Sequence, residues 1–197
     1  MFKILITISL LLILGCGDGK TKQTTESDSL TTTNKIASNI DKNESMGEIP
    51  LFTLDTVDGK QLNISEIENG LKFKELKNKA IFLIFFGYRC PPCVREIPLL
   101  IELTKKYDDL AIVAVEVQGY DSQELKAFGE RRGINYTLLS SDDNMDFVSY
   151  VQAKSKWHGS IPFLLGIHKN GKVKIIHTGG LGKSSLEGAY QDLINIK

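Results

Sequence analysis

The stretch that most constrains the fold is Ala80-Ile81-Phe82-Leu83-Ile84-Phe85-Phe86, followed at once by Gly87-Tyr88-Arg89-Cys90-Pro91-Pro92-Cys93. An unbroken apolar run rich in Ile and Phe, stopped by glycine, predicts a buried strand. Beyond it Val94, Ile97, Leu100, Ile101 and Leu103 recur with helical spacing, so the two cysteines sit where a strand hands over to a helix. With Cys90 as N-cap, Pro91 takes the first helical position, where its missing N–H is not needed and its fixed φ suits the turn. This geometry is expected to expose Cys90 and to tuck Cys93 one turn in.

A thiol at a helix N-terminus feels the positive end of the macrodipole, which favours the thiolate, the form that attacks disulfides. Cys90 is therefore the expected nucleophile. A second thiol three residues on, on the same helical face, can attack the mixed disulfide formed at the first, so Cys93 is the expected resolving thiol. Pro91 and Pro92 lack N–H groups, removing two of the backbone donors nearest the thiolate; a less stabilised reduced form means a lower potential. Arg89 works in the other direction. Two alternatives compete with redox chemistry. Half of a zinc site would need four ligands, but Cys16 and three scattered histidines are the only other Cys or His residues, and none forms a second paired spacing. A structural disulfide closing so short a loop would constrain the unfolded chain little.

The segment from Phe85 to Pro98 resembles the active site of thioredoxin-fold proteins, specifically the membrane-anchored, extracytoplasmic TlpA/ResA/CcmG-like thiol–disulfide reductases. That family favours a Phe-rich strand, C-x-P-C and C-x-x-E-x-P, and the resemblance runs from about Ile49 to the C-terminus. Two departures stand out. The family commonly has Trp immediately before the first Cys, where this chain has Arg89; a cation there adds thiolate stabilisation and alters the substrate-facing surface. The buried Asp that cytoplasmic thioredoxins carry six residues before the nucleophile is Ile84 here. A peroxiredoxin-type peroxidase would need Thr three residues before the reactive Cys, and Gly87 occupies that place.

A chain of 197 residues with 42% hydrophobic content can bury the core of one domain with appendages. Its formal charge of zero gives no electrostatic case for nucleic acid. Lys3 followed by apolar Ile4 to Leu14 has the form of a signal peptide, too short to span a bilayer in the usual way. Ile13-Leu14-Gly15-Cys16 resembles the lipobox of bacterial lipoproteins, which implies cleavage after residue 15 and lipid on Cys16; the competing reading is an uncleaved signal anchor. Either places the domain outside the cytoplasm. From Gly17 to Met46 thirteen of thirty residues are Ser, Thr or Asn, a composition that cannot bury enough to order itself and that spans roughly 30 Å as a flexible coil. The expected organisation is thus signal peptide 1–15, lipidated Cys16 and linker 16–46, and a thioredoxin-like domain 47–197. Asp41-Lys42-Asn43-Glu44-Ser45 also resembles a bacterial N-glycosylation sequon, against chance occurrence in a polar linker.

In the folded part, Leu51–Val57 and Lys60–Ile64 around Asp58-Gly59 read as a hairpin, matching the N-terminal extension of the family. Ser65–Leu76 is expected to be a short helix and irregular chain. Strands at 80–86, 110–118 and 135–139 alternate with helices after the cysteines, at 122–132 and at 145–154, which argues for α/β. A hairpin of 162–168 and 173–178 and a helix over 184–196 complete the order of the thioredoxin fold: a central mixed sheet flanked by helices. Pro162 has the ordinary reading of an edge-strand proline. The resemblance makes it a cis proline against the cysteines, with Ile161 presenting its backbone to an extended substrate. Glu96 reads either as a surface carboxylate complementing the helix N-terminus or, from the resemblance, as a carboxylate near the thiols that raises their pKa or relays a proton. Trp157 is expected to pack in the core and His158 to be solvated; His168 and His177 have no special context.

Together these readings imply an extracytoplasmic, lipid-anchored thiol–disulfide oxidoreductase that reduces disulfides in periplasmic proteins, with apocytochrome c or another assembly factor as substrate. The resemblance implies a monomer, a membrane thiol donor of electrons, no metal and no organic cofactor beyond the Cys90–Cys93 couple. The competing readings are a DsbA-like oxidant and a redox-inert thioredoxin-like adaptor.

Overall fold

The computed structural model describes residues 51–195; the expected signal peptide 1–15, Cys16, the expected linker 16–46 and Asn43 lie outside the described residues. The first three strands, β1 (Phe52–Asp55), β2 (Gln61–Ile67) and β3 (Gly70–Phe73), form an antiparallel sheet in that order. The Asp58-Gly59 hairpin is present, with Thr56 N–H donating to the Lys60 carbonyl at 2.9 Å. The expectation for Ser65–Leu76 is corrected: β2 continues to Ile67, turns through Glu68-Asn69, and returns as β3, leaving only Lys74–Leu76 as a single 3₁₀ turn. The cause is a period of two, with Leu62, Ile64, Leu71 and Phe73 all buried on one face. The Asn69-Gly70 dipeptide is itself a hairpin signal; Asn69 takes the left-handed conformation at φ 59°.

The main sheet has the order β6-β5-β4-β7-β8. Parallel β4 (Ala80–Phe86), β5 (Leu110–Glu116) and β6 (Thr137–Ser140) are joined by antiparallel β7 (Phe163–Ile167) and β8 (Val173–Thr178). Helices α1 (Pro91–Lys106), α2 (Ser122–Arg132), α3 (Met145–Ser155) and α4 (Lys183–Asn195) complete the α/β fold expected from the sequence. All seven residues of β4 are buried because it is central in the sheet and covered on both faces. Phe82, Ile84 and Phe86 face a core shared with Ile97 and Leu100 of α1, Leu125 of α2 and Leu193 of α4. Ile81, Leu83 and Phe85 face the other core, with Phe147 and Val151 of α3 and Leu54, Ile64 and Phe73 of the N-terminal sheet. Strand β4 is thereby fixed on both faces, and its C-terminal end is a rigid platform for the cysteine loop. No described helix is long and apolar enough to cross a membrane.

Candidate active site

The cysteine pair lies at the junction that the sequence predicts. Cys90 is the N-cap of α1, with Pro91 and Pro92 in the first two helical positions, and the Cys93 N–H is 3.4 Å from Cys90 Sγ. The two sulfurs are joined in a disulfide with a Cα separation of 5.2 Å, so the structure shows the oxidised couple. The expected exposure of Cys90 is corrected: Cys90 is 7% exposed and Cys93 2%. The Ile161 carbonyl oxygen lies 3.8 Å from Cys90 Sγ, and Ile161 is among the residues packed against this side of the core. A disulfide sulfur carries no proton, so this is a packing contact here; a thiol at the same place has a carbonyl acceptor at hand.

The segment before Cys90 is held from β5. Strand register sets Phe86 beside Glu116, and the Glu116 side chain, 0% exposed, faces the two loops that leave the strand ends. Its carboxylate accepts N–H bonds from Tyr88 (3.3 Å), Gln118 (2.9 Å) and Tyr120 (3.0 Å). These bonds satisfy a buried charge that has no cationic partner within 4.0 Å among the described residues. Gln118 adds a fourth tie, its Oε1 accepting the Arg89 N–H at 2.9 Å. The Gln118 side chain lies over Gly87, where an added Cβ would come within 2.2 Å of it. A threonine at that place would displace Gln118. Sequence reading missed Glu116 and Gln118; the available signal was a carboxylate ending the otherwise apolar run Leu110-Ala111-Ile112-Val113-Ala114-Val115.

Glu96, one turn beyond Cys93, is 6% exposed, which rules out its reading as a surface carboxylate. It points toward the loop between β8 and α4 and accepts the Leu181 N–H. Burial raises its pKa above the ordinary value of 4.5, only partly offset by that hydrogen bond. The neighbouring Gly180 approaches Pro92 so closely that an added Cβ would lie 3.1 Å from the proline Cβ and 3.8 Å from Glu96 Oε1. The β8–α4 loop therefore closes one side of the site, an address that the Gly179-Gly180 turn signal does not supply.

On the opposite side, the Ile161–Pro162 peptide is cis and Pro162 is buried. Trp157 packs in the core as expected, its ring stacked on Phe163 at 5.0 Å. Its indole N–H donates to the Ser160 carbonyl at 2.7 Å, anchoring the loop that carries Ile161. His158 is exposed. His168 is buried in the β7–β8 turn, where its Nδ1 accepts the Asn170 N–H at 3.3 Å; His177 lies on β8. Among the described residues no three His, Cys, Asp or Glu side chains converge as a metal site would require.

A family model described as the AhpC/TSA family matches residues 47–176. The chain belongs to that family. Among relatives in it, thiol-disulfide oxidoreductase ResA of Geobacillus thermodenitrificans is 30% identical over 150 residues, which cover 75% of this chain and 75% of the relative. The ResA of Halalkalibacterium halodurans is 24% identical over 144 residues, 73% of each chain. A secreted Mycobacterium tuberculosis disulfide oxidoreductase, described as homologous to Escherichia coli DsbE, superposes with a TM-score of 0.55 at 20% identity. The match covers 72% of this chain and 96% of that one, and it shows the shared thioredoxin-like fold. Within the AhpC/TSA family this chain is a thiol–disulfide oxidoreductase with a paired cysteine centre.

Proposed function

We propose that the protein reduces disulfides in other proteins outside the cytoplasm, with Cys90 attacking and Cys93 resolving. The Cys90 thiolate attacks one sulfur of a substrate disulfide; that S–S bond breaks, an enzyme–substrate disulfide forms, and the first substrate sulfur leaves as a thiolate. The Cys93 thiolate then attacks Cys90 Sγ, the mixed disulfide breaks, and the second substrate thiolate departs. Two electrons pass to the substrate, its two thiolates take up two protons, and the enzyme is left with the Cys90–Cys93 disulfide. Glu96, holding its proton to higher pH than a free glutamate, is suited to exchange a proton with Cys93 as that thiol ionises. The Ile161 backbone beside Cys90 offers an extended substrate a strand-like main-chain contact, tolerant of sequence.

The observation that carries the reducing direction is the sparse donor set at Cys90. Pro92 occupies the second helical position, one of the two whose N–H an N-cap side chain accepts, and among the described residues only the Cys93 N–H reaches the sulfur. A weakly stabilised thiolate makes a reducing couple. Equilibration with glutathione should place the couple below about −200 mV; a value near the DsbA anchor of about −120 mV would assign the oxidant instead.

The same reading includes removal of residues 1–15, a lipid on Cys16 and a tether over 16–46, holding the domain in the periplasm near its electron donor, a membrane thiol relay. Substrates are oxidised cysteine segments of the kind found in apocytochrome c or other assembly factors. Mass spectrometry of the mature N-terminus tests the anchor: acyl mass on Cys16 is expected, and its absence would end the lipoprotein reading.

A further inference from the structure

The surface beside Cys90 carries a cation that forms no ion pair among the described residues. Arg89 is exposed, and its guanidinium lies 4.9 Å from the centre of the Tyr88 ring. Tyr88 in turn stacks on Tyr120, with centroids 3.6 Å apart and planes at 14°. The shelf is fixed from beneath. Glu116 takes the backbone N–H of both tyrosines, Gln118 takes that of Arg89, and the Ser140 hydroxyl donates to the Tyr120 carbonyl at 2.6 Å. A cation held over a ring gains the quadrupole attraction and loses little freedom when it meets an anion.

No carboxylate of the described residues lies within 4.0 Å of this guanidinium. Five acidic side chains of the neighbouring segments have other partners: Glu116 and Glu96 are buried on backbone N–H groups, Asp121 and Glu124 form the capping box of α2, and Asp143 accepts from Ser122. A partner chain that brings a sulfur onto Cys90 therefore comes beside the Arg89 guanidinium, one residue away in sequence and held over the Tyr88 ring.

We infer that Arg89 is a specificity-determining residue, selecting protein disulfides whose cysteine is flanked within a residue or two by Asp or Glu, with Tyr88 and Tyr120 as the positioning shelf. The inference rests on the disulfide-exchange reading above and adds the substrate class. Complementary charge acts chiefly on encounter and on orientation of the attacked sulfur, so it raises the second-order rate and weakens with salt.

The test uses the full-length reduced protein and three short peptides that differ in one residue beside a single cysteine, Asp, Asn or Lys, each as a mixed disulfide with 2-mercaptoethanol. Rates are divided by those of the same peptides with dithiothreitol, which removes differences in intrinsic reactivity. At low ionic strength the Asp peptide should react about fivefold faster than the Lys peptide, consistent with one exposed charge pair. The ratio should contract in high salt, collapse in Arg89→Ala and invert in Arg89→Glu. Equal normalised rates in the wild type, or a ratio unchanged in Arg89→Ala, would overturn the inference while reduction of the Asn peptide leaves the oxidoreductase reading standing. Reduction of none of the three would overturn both.

Discussion

The amide N–H of Cys93 points at the sulfur of Cys90 across 3.4 Å, and with proline in both intervening positions it is the one first-turn amide there to do so. An N-cap side chain accepts from the second or third helical N–H. Restoring the second donor by Pro92→Ala should therefore stabilise the Cys90 thiolate and raise the potential by about 30 mV, corresponding to about 1.4 kcal/mol for this couple. Pro91→Ala restores an N–H that does not aim at the cap and should change the potential far less. Glutathione equilibration of the two variants checks the contrast, and equal shifts would count against this donor argument.

Division of labour between the sulfurs is open to trapping. Cys93→Ser should accumulate a covalent complex between Cys90 and substrate, because the resolving step is gone, whereas Cys90→Ser should capture far less. Non-reducing gels followed by mass spectrometry read the difference. Equal capture by both would contradict the assigned roles, and capture by neither would favour a redox-inert adaptor.

Burial gives Glu96 a pH signature. Its folded pKa lies above 4.5, so the folded state holds this proton where the unfolded chain has released it, and stability falls as pH rises from near 4.5 through the raised folded value. Glu96→Gln keeps an acceptor for Leu181 and removes the charge. Denaturant midpoints should match the wild type most closely below pH 4.5 and favour the variant near neutrality, by about 1.4 kcal/mol per unit of pKa difference. An unchanged pH slope in the variant would show that Glu96 is not the group responsible.

The clamp from β5 predicts linked losses. Glu116→Ala strands three backbone donors, and because the loops lie near solvent the cost should be about 2–4 kcal/mol rather than the full buried penalty for each. Gln118→Ala should cost about 1 kcal/mol. Gly87→Ala forces the Gln118 side chain off Arg89, so Gly87→Ala and Gln118→Ala together should cost less than their sum, whereas the two sites would be additive if independent. Urea unfolding of the single and double variants measures this coupling.

The sequence by itself determined the strand, the glycine stop, the N-capped helix and the pairing of Cys90 with Cys93, because all four rest on local rules: apolar run, backbone sterics, cap position and helical period. It also determined the order of strands and helices from β4 onward, to within a residue or two at most ends. The third N-terminal strand was written there too, in the Asn69-Gly70 dipeptide and in the alternation of Leu71 and Phe73, but the segment is short enough to be read as a short helix and irregular chain. The resemblance already sets the Ile161–Pro162 peptide against the cysteines and Glu96 near them; only the tertiary structure decided which atoms meet there and brought in Glu116 and Gln118. The contacts of Glu116 with Tyr88, Gln118 with Arg89, Ile161 with Cys90 and Glu96 with Leu181 join residues 28, 29, 71 and 85 positions apart. No periodicity spans such distances; these contacts follow from the register of β5 and β7 on β4 and from the packing of α1 against the β8–α4 loop. The burial of Cys90 has the same origin. A helix N-terminus taken alone leaves its cap in water, and it is the distant Ile161–Pro162 loop, folded back by β7, that covers it.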